Sequence, residues 1–204
     1  LSSACPILQV TKRKTLSKGR IMKKLITLAT AVLCLNLAQA AQFKVSKGNV
    51  NFTAKGFPAF ITIAGKTTNI TGILTKKDEK LSGNFSVDLT TLETGMDLRD
   101  DHMKNKYLKV GEFPKATLIL PSFTPEASGT VQGELLLKGV KKPIKIDYTL
   151  EKSGGSMAIK TNFELLLNDF KVGIPSFQGI TVAKTIKLAV AFKAVEEKTK
   201  PTKK

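Results

Sequence analysis

Residues 81–90 read Leu-Ser-Gly-Asn-Phe-Ser-Val-Asp-Leu-Thr, and every second residue is polar. On an extended chain Ser82, Asn84, Ser86, Asp88 and Thr90 share one side, and Leu81, Gly83, Phe85, Val87 and Leu89 the other. Such a strand has one wet face and one dry face, the habit of antiparallel sheets. The alternation recurs on both sides of this stretch. Downstream, Ile144, Ile146, Tyr148 and Leu150 interleave with Lys145, Asp147, Thr149 and Glu151. Met157 to Leu167 and Thr185 to Val195 repeat the pattern, the latter with Ile186, Leu188, Val190, Phe192 and Ala194 on one side. Upstream, a strand is expected from Phe43 to Thr53, broken near Lys47-Gly48-Asn49. A pair follows, Phe60–Ile63 and Thr67–Leu74, turning around Gly65-Lys66. Two more run over Ala116–Leu120, ended by Pro121, and Thr130–Lys138. Asp78-Glu79-Lys80, Gly139–Pro143 and Ser153-Gly154-Gly155-Ser156 supply turns. About eight hairpin-connected strands without alternating long helices point to an all-β closed barrel or a sandwich.

An eight-stranded barrel is just wide enough either to be filled by its side chains or to hold one slender ligand. The inward set mixes small residues (Gly83, Ala116, Gly133, Ala194) with Phe52, Phe85, Phe163 and Phe192, which allows a tunnel. With Val87, Leu118, Leu135, Ile146, Tyr148, Leu188 and Val190, these phenylalanines are the candidate ligand-binding wall.

The regular pattern stops between Thr94 and Pro114. Glu93, Asp97, Asp100 and Asp101, together with Arg99 and His102, the chain's single histidine, crowd this boundary. Thr94-Gly95 is a turn signal and Asp97 a plausible N-cap for a helix running to about Tyr107, with acids first and Lys104, Lys106 and Lys109 last. A second irregular stretch, Asn168–Val182, has room for another short helix. Arg99 and His102 admit two readings. They could hold the helix over the barrel end, Arg99 pairing with Asp97 or Asp100 and Leu98 packing with Met103 or Tyr107. They could instead face the tunnel mouth and meet a polar head group. The structural role is preferred, since ion pairs more often serve architecture than ligands.

The first forty residues differ from the rest. Met22-Lys23-Lys24, an apolar run from Leu25 to Leu37 and Ala38-Gln39-Ala40 form a signal-peptide pattern, with cleavage expected after Ala40. The run is shorter than the ~20 residues a spanning helix needs. Residues 1–21 are expected to be a non-native upstream extension, 22–40 the signal peptide, 41–195 the barrel domain and 196–204 a disordered basic tail. Export to the periplasm, or secretion, follows. Cys5 and Cys34 would leave with the leader, so no disulfide framework is expected. The whole chain carries a formal charge of +17; without the seven basic leader residues it is 26 − 16 = +10.

This charge is almost all lysine, set on outward positions such as Lys145, Lys160, Lys187 and Lys193, with Arg99 the sole arginine beyond the leader. Nucleic-acid readers favour arginine and aromatic platforms, so no nucleic-acid partner is expected. A weak contact with anionic membrane surfaces fits better, and a homodimer is compatible with the sequence. A lone histidine and no retained cysteine cannot assemble a nucleophile, base and orienter. A metal site would need His102 with Asp97, Asp100 or Asp101, too few nitrogen and sulfur ligands for zinc. Enzymatic activity, metal and cofactor are therefore not expected.

Thr94-Gly95, Arg99-Asp100-x-His102-Met103 and Phe113-Pro114-x-Ala116-x-Leu118 together resemble the signature of the YceI-like, polyisoprenoid-binding family. The Gly139–Pro143 turn and Asp169-Phe170-x-Val172-Gly173-x-Pro175 are similar to later family segments, so the resemblance runs from about Val45 to Ala194. It implies an eight-stranded antiparallel lipocalin-like barrel whose tunnel takes an isoprenoid or other long-chain fatty amphiphile. The alternative left open is an exported stress-response or interaction protein with a solid barrel and a basic envelope-facing surface.

Overall fold

The structure is a computed structural model that describes residues 40–58, 61–177 and 179–197. The expected upstream extension, nearly all of the expected signal peptide, both cysteines and residues 198–204 of the expected tail lie outside the described residues.

Among the described residues, eleven strands form one antiparallel sheet: β1 (Ala41–Phe57), β2 (Ile61–Thr67), β3 (Ile70–Lys77), β4 (Lys80–Asp88), β5 (Lys115–Phe123), β6 (Ser128–Leu137), β7 (Val140–Ser153), β8 (Ser156–Leu166), β9 (Ser176–Phe177), β10 (Ile180–Val182) and β11 (Thr185–Glu196). Eight of them close a ring in the order β1-β3-β4-β5-β6-β7-β8-β11, with β11 hydrogen-bonded back to β1 from Phe43 to Thr53. Strands β2 and β10 prolong β3 and β11 along the far half of β1. The fold is therefore the all-β, eight-stranded lipocalin-like barrel, with one short α-helix in a connection. Hairpins are tight where the chain supplies the right residues: Gly154-Gly155, both at positive φ, join β7 to β8.

Burial follows the period-two pattern. Along β7, Ile144, Ile146, Tyr148 and Leu150 are buried while Lys145, Asp147 and Thr149 are exposed. Each large apolar side chain moved from water into the interior contributes about 1.5–3 kcal/mol.

Four local expectations are corrected. The turn around Gly65-Lys66 is absent; β2 runs through both, and the break falls at Thr68-Asn69. Gly65 is small for another reason: a Cβ there would fall on the Phe52 ring of the neighbouring strand. Strand β5 does not end at Pro121 but reaches Phe123, because Leu120 pairs with Gly83 and Phe123 with Leu81, which leaves Pro121 in a bulge that needs no N–H. The connection at Gly139–Pro143 shrinks to Lys138-Gly139, both at positive φ, with β7 starting at Val140. Finally, Glu196 closes β11, and the N–H of Glu197 donates to the Gln42 carbonyl at 2.8 Å.

The Thr94–Pro114 insertion holds an α-helix over Asp97–Asp101 that widens into a π-helical stretch, His102–Leu108. The N-cap is Met96 rather than Asp97, and it makes no side-chain cap. Leu167–Phe170 forms a 3-10 turn in the second irregular stretch. Both irregular stretches, the β1–β2 turn and the β6–β7 turn lie at one end of the barrel. The other end carries the β3–β4, β5–β6 and β7–β8 turns.

Candidate functional site: an apolar cavity inside the barrel

The barrel is not filled. A cavity of about 520 Å³ runs along its interior, within the range of small-molecule sites. All thirteen residues singled out from the sequence lie on its wall. Phe52 comes from β1, Phe85 and Val87 from β4, Leu118 from β5, Leu135 from β6, Ile146 and Tyr148 from β7, Phe163 from β8, and Leu188, Val190 and Phe192 from β11; Arg99 and His102 come from the helical insertion. Period-two strands aim these side chains at a common axis, and the void explains their exposure. Phe85, Leu135, Ile146 and Tyr148 are buried against neighbours, whereas Phe52, Val87, Leu118, Phe163, Leu188, Val190 and Phe192 are half-buried, facing open space. A barrel packed solid is not what this interior shows.

Two aromatic contacts shape the lumen. Phe85 and Phe192 come from strands three apart in the ring, and their rings meet with centroids 4.9 Å apart, forming a waist. Gly72 and Gly83 make room for Phe85: a Cβ on either would stand 2.5 Å or 2.7 Å from its ring. Nearer the end with the β3–β4, β5–β6 and β7–β8 turns, Tyr148 stacks edge-on to Phe123 at 5.6 Å, and its hydroxyl accepts the Glu126 N–H at 3.1 Å. Towards that end Phe43, Met157 and Ala194 are almost fully buried.

Polar side chains gather at the opposite end. Thr94, Arg99, His102, Tyr107 and Ser176 line the mouth, and Thr161 is a polar wall residue on β8. Arg99 makes no ion pair with Asp97 or Asp100. Its Nε donates to Thr94 Oγ1 and its Nη2 to the Thr94 carbonyl, each at 2.7 Å. Asp100 completes the knot by accepting the Thr94 N–H at 2.8 Å and the Thr94 hydroxyl. Thr94, expected as part of a turn, is thus the hub, held by a cation and an anion that are consecutive in sequence. Met103 and Tyr107 pack on the core, but Leu98 does not join them: it is 55% exposed. The Tyr107 hydroxyl accepts the Ser176 N–H at 3.3 Å, tying the insertion to β9.

The adjoining wall is held by short polar links. Lys66 and Glu93 exchange backbone hydrogen bonds of 2.9 and 3.0 Å and their side chains pair at 3.4 Å. The buried Thr67 hydroxyl meets that of Thr91 at 2.6 Å. Next to this link Asp88 caps the Leu89–Thr91 turn. The Thr90 hydroxyl and then the Thr90 N–H, with Lys115 nearby, hold its carboxyl below the ordinary aspartate range. Among the described residues no three His, Cys, Asp or Glu are grouped to hold a metal ion.

A family model described as the YceI-like domain matches residues 42–194. The chain belongs to the YceI-like family. A UPF0312 protein of Yersinia enterocolitica is 25% identical to it over 162 residues, which span 72% of this chain and 84% of the relative. In solved structures, BcnA of Burkholderia cenocepacia shares the fold with a TM-score of 0.62 at 15% identity, covering 72% of this chain and 96% of BcnA. A polyisoprenoid-binding domain from Saccharophagus degradans, implicated in plant cell wall breakdown, does so with a TM-score of 0.61 at 12% identity, covering 76% and 98%.

Several lining residues were not singled out in the sequence, among them Val50, Ile63, Leu74, Leu120 and Ile159. The same alternation that marked the others marks them.

Proposed function

We propose that this chain is a non-catalytic carrier that sheathes one long amphiphile, an isoprenoid or another long-chain lipid, inside its barrel after export to the periplasm. The observation that carries the reading is the shape and chemistry of the cavity: about 520 Å³, walled by aliphatic and aromatic side chains, with polar groups concentrated at the mouth. A hydrocarbon enters tail first, each buried methylene contributing about 0.8 kcal/mol before ordering costs. Its head stays beside Thr94, His102 and Ser176, while Arg99 keeps Thr94 in place. The polyisoprenoid-binding domain that shares this fold supports the choice of ligand class, and the Met22–Ala40 pattern supports the compartment.

Native mass spectrometry of the purified protein tests this. A bound hydrophobic adduct, extractable into organic solvent and replaceable by an added polyprenyl compound, is the expected result. A protein that stays bare and takes up no polyprenyl or long-chain lipid when challenged refutes it.

A further inference from the structure

The mouth carries polar side chains on its inner side but large apolar ones on its outer rim. Met96 and Leu98, at the start of the insertion helix, are 56% and 55% exposed, more than the other exposed large hydrophobics, and Ile61 on β2 is 38% exposed. All three also belong to the cavity wall, so an unbroken apolar path leads from the lumen to the surface. Elsewhere large exposed apolar residues, such as Ile73 and Ile119, sit on the outer wall, across Asn84 from each other and away from the opening. The same barrel end is ringed by lysines: Lys55, Lys104, Lys106, Lys138, Lys171 and Lys184 fall in its turns or last strand residues, and none of them is ion-paired to a carboxylate among the described residues. Of the acids of this end, Glu93 pairs with Lys66 and Glu112 with Lys109, Asp100 and Asp101 accept from Thr94 and Asn105, and Asp97 and Asp169 are exposed and fewer than the lysines.

We infer that this rim docks on the surface of an anionic phospholipid bilayer, Met96, Leu98 and Ile61 entering the interface and the lysines meeting lipid phosphates. The inference rests on the carrier reading only for its purpose: a ligand insoluble in water can pass between membrane and barrel along an apolar path without being hydrated. The docking itself is a property of the rim. Exposed apolar side chains at a barrel end that also carries lysines without carboxylate partners are the pairing that interfacial binding uses, burial of hydrocarbon adding to attraction for anionic lipid. The opening faces the membrane in this pose, and the end with the β3–β4, β5–β6 and β7–β8 turns faces away.

The test is co-flotation of the protein with vesicles of phosphatidylethanolamine and phosphatidylglycerol, with phosphatidylcholine vesicles in parallel, all free of added polyprenyl compound. The wild type is expected to float with the anionic vesicles, more weakly with the neutral ones, and to detach as salt rises. Met96→Asp/Leu98→Asp should lower the partition by at least roughly tenfold. Ile73→Asp/Ile119→Asp, equally apolar to charged but on the outer wall, should leave it unchanged. No flotation of the wild type overturns the inference, as does equal loss in both double variants. Flotation untouched by the rim substitutions overturns it too, as when the apolar stretch 25–37 carries the binding. A dimer in sedimentation that Met96→Asp/Leu98→Asp dissolves, without flotation, assigns the rim to a second copy and equally overturns it. Flotation is read without a hydrocarbon ligand, so its failure leaves an adduct in native mass spectrometry standing, and a missing adduct leaves flotation standing.

Discussion

Replacing Arg99 by alanine removes both hydrogen bonds that its guanidinium makes to Thr94, at 2.7 Å each. A hydrogen bond to a charged group contributes about 1.5–3 kcal/mol when well shielded, and Arg99 is only half-buried, so the pair together should be worth about 2–3 kcal/mol. For a domain of this size about 1 kcal/mol moves the melting temperature by roughly 2–4 °C, so the variant should melt roughly 4–12 °C below the wild type. Arg99→Lys should recover less than half of that loss, because one ammonium cannot span a hydroxyl and a carbonyl as a planar guanidinium does. Thr94→Ala deletes the hydroxyl that Arg99 and Asp100 share. The double variant Thr94→Ala/Arg99→Ala should therefore fall short of the summed losses by about 1 kcal/mol. Differential scanning calorimetry of the wild type and the four variants, with polyprenyl binding followed in parallel, provides the measurement. An Arg99→Ala protein that melts with the wild type refutes the reasoning, and so does one that loses its ligand at an unchanged melting temperature.

Other expectations follow from single contacts. Gly65→Ala places a methyl on the Phe52 ring and 3.0 Å from the Glu93 carbonyl, so urea unfolding should register a loss of about 1–3 kcal/mol; a neutral result means β2 can slide off β1. Val190→Trp directs an indole into open lumen. It should abolish the hydrophobic adduct in native mass spectrometry without lowering the melting temperature, and adduct retention places the ligand elsewhere. Asp88 contributes through a lowered carboxyl pKa, so its stabilisation is complete above the ordinary aspartate range and fades as pH falls through the lowered value. The stability gap between wild type and Asp88→Asn should accordingly narrow on acidification from neutrality to about pH 3, and a gap independent of pH contradicts the assigned role.

The barrel was legible because its information is local. Alternation along 81–90 or 144–151 assigns faces from neighbours in sequence alone, and the inward residues Leu81, Phe85, Val87, Leu89, Ile146, Tyr148 and Leu150 reach the lumen. What failed depended on partners far away in the chain. Gly65 looks like a turn until Phe52 is set beside it on β1, and Pro121 looks like a strand end until β4 supplies the bulge. At the mouth, charge counting paired Arg99 with the nearest acids, Asp97 and Asp100. Geometry gave it a backbone carbonyl and a hydroxyl at Thr94 instead, since the residue after Arg99 spends its carboxylate on the same threonine. Leu98 illustrates the remaining blind spot: an apolar residue in a short helix reads as core, and no pattern in one sequence says that it faces outward.

The lumen is lopsided, with its polar lining gathered at the insertion end. Phe43, Met157 and Ala194, buried towards the other end, offer no polar side chain to a ligand, so an amphiphile that enters tail first is gripped by its head at one end alone. Such a sleeve sets the orientation of its cargo, head towards the insertion and tail away from it, and leaves the choice of recipient to whatever meets that head.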